Sequence, residues 1–318
     1  MKKRKRRKLK KKFILFIIII IIILSLLGAY NLTMKKENNI TNTSYSEEDK
    51  YFLDKNYTKK ELSYINKLSD KNKEKLKNID YIDIKNFYNI KNFDVDKYSR
   101  YIEYYNKNDY SYEDVVTYVN IGIDNDFYTN TSPSILQNTN LVLINKYYYV
   151  DKDYIPSELV ELFDTNRGAK MVKVAADKYK EMILSAKEDN ITLESTTAYR
   201  GYNFQKALYD KYVSEDGKEL ADTYSARPGF SDHQSGLTVD LNDPSVTGSR
   251  LDEKDYKWLL NNSYKYGFIV RYQKHKEFIT GYMEENWHIR YVGEDVATIM
   301  HKEDLCLEEY IDLYITEY

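Results

Sequence analysis

Cysteine is almost absent: Cys306 is the only one among 318 residues. An internal disulfide is therefore excluded, and with it the disulfide-stapled scaffolds. A cysteine nucleophile has little support either, because "EDLCLEEY" puts Cys306 at an apolar position of an amphipathic helix. Proline is scarce at four residues, alongside 34 tyrosines and many Asn, Lys and Ile. This bias reads as that of an AT-rich coding sequence and carries no function. Histidine is as rare as proline, with four residues: His233, His275, His288 and His301. No internal repeat is visible.

Charge is unevenly spread. Ten of the 48 Lys and Arg fall in residues 1–12, "MKKRKRRKLKKK", and the 38 that remain face 50 Asp and Glu. The rest of the chain thus carries a formal charge of −12 and lacks the basic footprint of a nucleic-acid binder, so no nucleic-acid partner is expected.

Residues 13–30, "FILFIIIIIIILSLLGAY", contain no charge. As a helix rising about 1.5 Å per residue, 18 residues reach roughly 27 Å, close to the hydrocarbon thickness of a bilayer. The run is longer than a signal-peptide core and mostly isoleucine, which favours an uncleaved single-pass anchor. By the positive-inside rule the basic block stays in the cytoplasm and everything after Tyr30 is extracytoplasmic, at the cell membrane.

Residues 31–50 are polar and read as a linker. Residues 51–130 follow as a mainly helical region, with Leu62, Ile65, Leu68, Leu76 and Ile79 at broadly helical spacing and no catalytic signature. Residues 131–318 form the second domain. There "NLVLINKYYYV" (140–150) predicts a strand, and "KMVKVAADKYKEMILSAKEDN" predicts a helix with Val174, Tyr179, Met182, Ile183 and Ala186 on one side. "ITLESTTAYRGY" reads as a strand ending in a turn, and "RLDEKDYKWLLNNSYKYG" as a helix stopped by Gly267. Strands and helices alternate without a regular βαβ rhythm, so the fold class is α+β.

The chemistry concentrates in two stretches. In "GFSDHQSGLTVDLND" (229–243), Leu237, Val239 and Leu241 alternate with Thr238 and Asp240. A strand there turns its apolar set to the core and Asp240 to the other face, while the glycine-bounded loop brings His233 back beside it. In "EENWHIRYVG" (284–293), Trp287, Ile289 and Tyr291 alternate with His288 and Arg290 on the same logic. Two imidazoles and a carboxylate suit Zn²⁺, and three ligands with an open fourth position make a catalytic site rather than a closed structural one. Glu285, three residues before His288, is the candidate general base. On spacing alone a hydrogen-bonding His in a polar loop and turn chemistry at Asp240 remain open. His275 and His301 read as solvated.

These stretches, "ARPGFSDHQSGLTVDL" and "GYMEENWHIRYVG", resemble the two metal motifs of the VanY-like D-alanyl-D-alanine carboxypeptidases, S-x-H-x-x-G-x-x-x-D and E-x-W-H. The resemblance implies zinc ligation by His233, Asp240 and His288, with Glu285 as catalytic base. "TAYRGYNFQ" is similar to the family's arginine element, which implies that Arg200 binds the substrate or its developing oxyanion and that Gln205 neighbours it; Ser231 matches the serine of the first motif. The chain departs from the pattern at Thr197 and Gly201, where Ser is usual, at Gln273 and Asn286, where Pro is common, and at His275, where Gly is common. Asn286 matters most, because it lies between base and ligand. The implied fold is that of the Hedgehog/DD-peptidase group.

The implied activity is a zinc metallopeptidase that removes the terminal D-Ala of peptidoglycan stem peptides. An L,D-carboxypeptidase, an endopeptidase and a non-catalytic wall-binding module are the alternatives. A serine D-Ala-D-Ala peptidase is disfavoured, since no Ser-x-x-Lys occurs with its companion motifs.

Overall fold

The computed structural model describes residues 45–79, 84–134, 136–164, 168–242 and 251–315. The basic block, the apolar run and the first part of the polar stretch lie outside them. Among the described residues no helix is long and apolar enough to cross a membrane. The chain divides into two compact units, Met1–Tyr81 and Ile82–Tyr318.

Described residues of the first unit form three short helices, Glu47–Asp54, Lys59–Ile65 and Asp70–Lys77. The polar stretch expected as linker through Lys50 turns helical at Glu47, because Ser46 and Asp49 satisfy each other's backbone N–H groups in a capping box. The helical pattern from Thr58 onward is two helices rather than one, since Ser69 accepts from the backbone N–H of Asn72 and starts a new turn. Phe52, Leu62, Ile65 and Leu76 are buried.

In the second unit, helices Tyr98–Lys107 and Tyr112–Asn120 belong to the same compact body as the strands that follow, although their composition groups them with the helical region before residue 130. Ile121, just past the second of them, packs with Ile279 and Cys306. Cys306 is buried and caps the helix Leu307–Tyr314 instead of lying within it; burial together with Glu308 and Glu309 pushes its thiol up, which leaves it a packing residue.

The strand expected over 140–150 is a correction. Strand β1 (Ser132–Pro133) pairs with β2 (Tyr148–Tyr149), and nothing else of that run is strand. The cause is Asn145, whose Oδ1 accepts from the backbone N–H groups of Tyr147 and Tyr148 and so competes with a ladder. Val142, Leu143 and Ile144 are buried all the same.

Strands β3 (Leu159–Glu161) and β4 (Lys170–Val172) form a small antiparallel pair leading into helix Lys173–Glu188. That helix buries Tyr179, Met182, Ile183 and Ala186 as expected, but Val174 is exposed. Ala175, one position on, takes the core side, because one residue is a rotation of about 100°.

The central sheet is antiparallel, in the order β5 (Glu194–Thr197), β6 (Thr238–Asn242), β8 (Glu285–Tyr291), β7 (Phe268–Tyr272). One face packs Val239, Leu241, Val270 and Ile289 against Tyr179 and Met182 of the long helix and Leu259 of helix Glu253–Asn262. That last helix extends by a 3-10 turn before Gly267 stops it at φ 81°. On the opposite face Ile269 packs with Leu307 and Ile311 of the C-terminal helix, and the polar residues of β6 and β8 gather there.

A tight 3-10 turn, Asp232–Ser235, precedes β6 and ends on Gly236 in the left-handed region at φ 69°. A Cβ there would lie 2.8 Å from Pro156 Cγ and 3.0 Å from Leu159 Cδ2. Gly236→Ala is therefore expected to destabilise the protein by at least about 1–2 kcal/mol, the ordinary cost of a left-handed non-glycine residue, measured as a lowered urea midpoint at unchanged slope.

Candidate metal centre

Register builds the centre. In the antiparallel pair β6–β8, Asp240 stands directly opposite His288, so the two share one face of the sheet. The turn Asp232–Ser235 folds His233 back onto the same face. His233 Nε2 lies 3.3 Å from Asp240 Oδ2, and His288 Nδ1 lies 3.2 Å from Asp240 Oδ1. One donor atom from each of the three residues falls within 4.8 Å of the others.

Glu285 is placed by an irregularity. Residues three apart in a regular strand face opposite sides. Here Val270 pairs with Ile289 but Tyr272 pairs with Glu285, so β8 holds two more residues than β7 over the same stretch. The bulge re-aims Glu285, and its Oε2 comes to 3.1 Å from His288 Nδ1. Asn286, at the position where the resemblance leads one to expect proline, stands in that bulge. Its amide donates to the Leu251 carbonyl at 3.0 Å and its oxygen accepts from the Leu251 N–H at 3.4 Å, so a two-point clip holds the segment that the proline ring would stiffen.

The two imidazoles present different nitrogens. His233 Nδ1 is 2.7 Å from the Ala198 carbonyl and so carries the proton, leaving Nε2 for the site. His288 presents Nδ1, while its Nε2 faces Asp232 Oδ2 at 3.5 Å. Burial and the Arg200 charge push His233 down, toward the neutral form that can act as a ligand. For Asp240 burial acts upward, but the two histidines outweigh it and hold the carboxyl well below the usual range. For His288 burial acts downward, yet Asp232, Asp240 and Glu285 outweigh it and hold the imidazole up, so this spot favours positive charge.

The donor set fits a zinc-like cation: two imidazole nitrogens and one carboxylate oxygen. Asp240 Oδ1 is buried without a hydrogen-bond partner among the described residues, a desolvated acceptor that a cation would satisfy.

Around this face lies a cleft of about 350 Å³, and Arg200, Gln205, Ser231 and Glu285 line it together with the three candidate ligands. Arg200 donates its backbone N–H to the His233 carbonyl at 3.2 Å, while its Nε is buried and unpartnered among the described residues. Gln205 Nε2 is tied to the Ala226 carbonyl at 2.7 Å, which leaves a buried Oε1 free. Every residue proposed from sequence for the site thus borders one cavity. The other two histidines do not: His275 pairs with Asp304 at the surface, and His301 stacks on Tyr264 with ring centroids 3.9 Å apart.

Sequence reasoning passed over several neighbours. Tyr272 lines the cleft with its ring 4.7 Å from that of His288. Asp232, adjacent to His233, is wholly buried between Arg290 and Arg271, and these charges with His288 overcome burial to keep it ionised. The one sequence signal was an acidic residue beside a ligand; its partners stand 39 and 58 residues away.

The family model described as VanY, D-alanyl-D-alanine carboxypeptidase, matches residues 168–294. The chain is similar to YodJ of Bacillus subtilis, 41% identical over 183 residues, covering 54% of this chain and 67% of that protein. It is also similar to a D-alanyl-D-alanine carboxypeptidase of Enterococcus faecalis, 34% identical over 188 residues, covering 55% of this chain and 67% of the relative. Among solved structures it resembles the LdcB LD-carboxypeptidase, at TM-score 0.51 and 40% identity, over 55% of this chain and 86% of that one. The chain belongs to the VanY family of D-alanyl-D-alanine carboxypeptidases.

Proposed function

We propose that this protein is a membrane-anchored, zinc-dependent D-alanyl-D-alanine carboxypeptidase that removes the terminal D-Ala of peptidoglycan stem peptides outside the membrane. The observation that carries the reading is the convergence of His233, Asp240 and His288 beside Glu285 in one cleft that also receives Arg200.

Those three residues would hold zinc, which when bound acts as a Lewis acid and lowers the pKa of water to about 7. Glu285 takes the proton of the attacking water and returns it to the leaving amine of D-Ala. The Arg200 guanidinium, with an unpaired Nε, binds the substrate's terminal carboxylate or meets the negative charge that develops on the scissile carbonyl oxygen. Gln205 Oε1 accepts an N–H of the peptide, and Ser231 borders the same space. The LdcB likeness favours a second reading, cleavage of an L,D bond, on the same machinery.

Synthetic stem pentapeptide should lose one D-Ala, read by liquid chromatography and mass spectrometry; shortening of tetrapeptide alone would assign the L,D bond instead. A chelator should abolish turnover and added zinc should restore it. Glu285→Ala is expected to lower kcat by at least about 100-fold, the contribution of a placed proton-transfer group, with metal content unchanged. A variant keeping more than about a tenth of the rate would remove Glu285 from that role.

The anchor rests on the uncharged residues 13–30 behind ten Lys and Arg. The full chain should sediment with membranes, and protease added outside intact spheroplasts should degrade everything beyond the span. Recovery in the soluble fraction would overturn the anchor and leave the chemistry untouched.

A further inference from the structure

Beneath the cleft lies a buried group of charges that borders it only through Asp232 and His288. Asp232, Arg271, Arg290, His288 and Glu308 are each at most 3% exposed. Arg290 Nη1 donates to Asp232 Oδ1, and its remaining donors go to the carbonyls of Asn140, Val142 and Tyr291. Thr238 Oγ1 donates to Asp232 Oδ2 at 2.6 Å. The same Oδ2 faces His288 Nε2 at 3.5 Å, and that nitrogen has no hydrogen-bond partner among the described residues.

Arg271 stands on the other side of Asp232 with its Nε 4.0 Å from Oδ2, but its two Nη groups are engaged by Glu308 of the C-terminal helix at 2.9 and 2.6 Å. Asn145 adds a third hydrogen bond to Glu308 at 3.1 Å. Two guanidinium groups thus meet two carboxylates. Arg271 is held off Asp232 because Glu308 occupies it.

We propose that Asp232 is a positioning residue that holds the Nε2–H of His288, and that the Arg271–Glu308 pair, remote from the cleft, sets where that carboxylate sits. The proposal builds on the metal reading given above. With Nε2 protonated toward Asp232, Nδ1 is free beside Asp240 and Glu285, which is the orientation the site requires. Removing the Glu308 charge leaves Asp232 as the nearest carboxylate to Arg271. The guanidinium then draws Oδ2 away from His288.

The test uses the full chain. In the zinc-loaded wild type, nitrogen-15 NMR of the histidine side chains should show His288 protonated at Nε2 and His233 at Nδ1; the opposite tautomer at His288 overturns the proposal, and this measurement needs no variant to fold. Chelator competition should give a zinc Kd weaker by about tenfold or more for Asp232→Asn and for Glu308→Gln, the usual effect of losing an outer partner of a ligand. The Arg271→Met, Glu308→Leu double variant leaves no unpaired charge and should bind zinc within about threefold of wild type, as apolar replacement of a buried pair is often neutral. Unchanged affinity in a folded Asp232→Asn chain, or a double variant as weak as Glu308→Gln, overturns the proposal while the peptidase reading stands. A wild-type chain that takes up no zinc removes both.

Discussion

The centre depends on one pairing, Asp240 opposite His288 across β6 and β8. A slip of one residue in that register would turn one of the two side chains to the core and replace it with an apolar neighbour. Val239 opposite Ile289 guards against the slip, because both are fully buried beneath the sheet. The hydrophobic face therefore specifies the polar face. Helix Lys173–Glu188 contributes by packing Tyr179 and Met182 into the core cluster that both strands share.

Charge is the second constraint. The cleft face buries Asp232, His233 and His288 and half-buries Asp240, a cost that no exposed site bears. The protein meets it by pairing charges on one side and by gathering acceptors that suit a cation on the other. Asp232 is matched by arginines, whereas Asp240 is left with an unsatisfied oxygen facing two imidazoles. The surplus negative character of Asp240 and Glu285 is what makes the spot attractive to a cation.

Much of this was legible in the chain. The ligand types, the alternation in "LTVDL" and "WHIRY", the stop at Gly267 and the outlying status of His275 and His301 follow from periods of two and from local chemistry. The strand expected at 140–150 failed because one side chain, Asn145, spends the backbone donors on itself, and composition does not show that. Val174 is exposed although it fits the apolar pattern, because an apolar residue at a helix start satisfies the periodicity almost as well as its neighbour Ala175, which is buried. The contribution of Asn286 was likewise hidden, since its partner Leu251 lies 35 residues away.

The sequence by itself determined which side chains are available for ligation and on which face of their strands Asp240 and His288 lie, because strand alternation needs only neighbouring residues. Tertiary structure alone decided that Asp240 meets His288, that a two-residue bulge turns Glu285 to the ligand side, and that Glu308 reaches Arg271 behind Asp232. Those outcomes depend on register and long-range burial, which arise when separate segments pack. No segment encodes them by its own pattern.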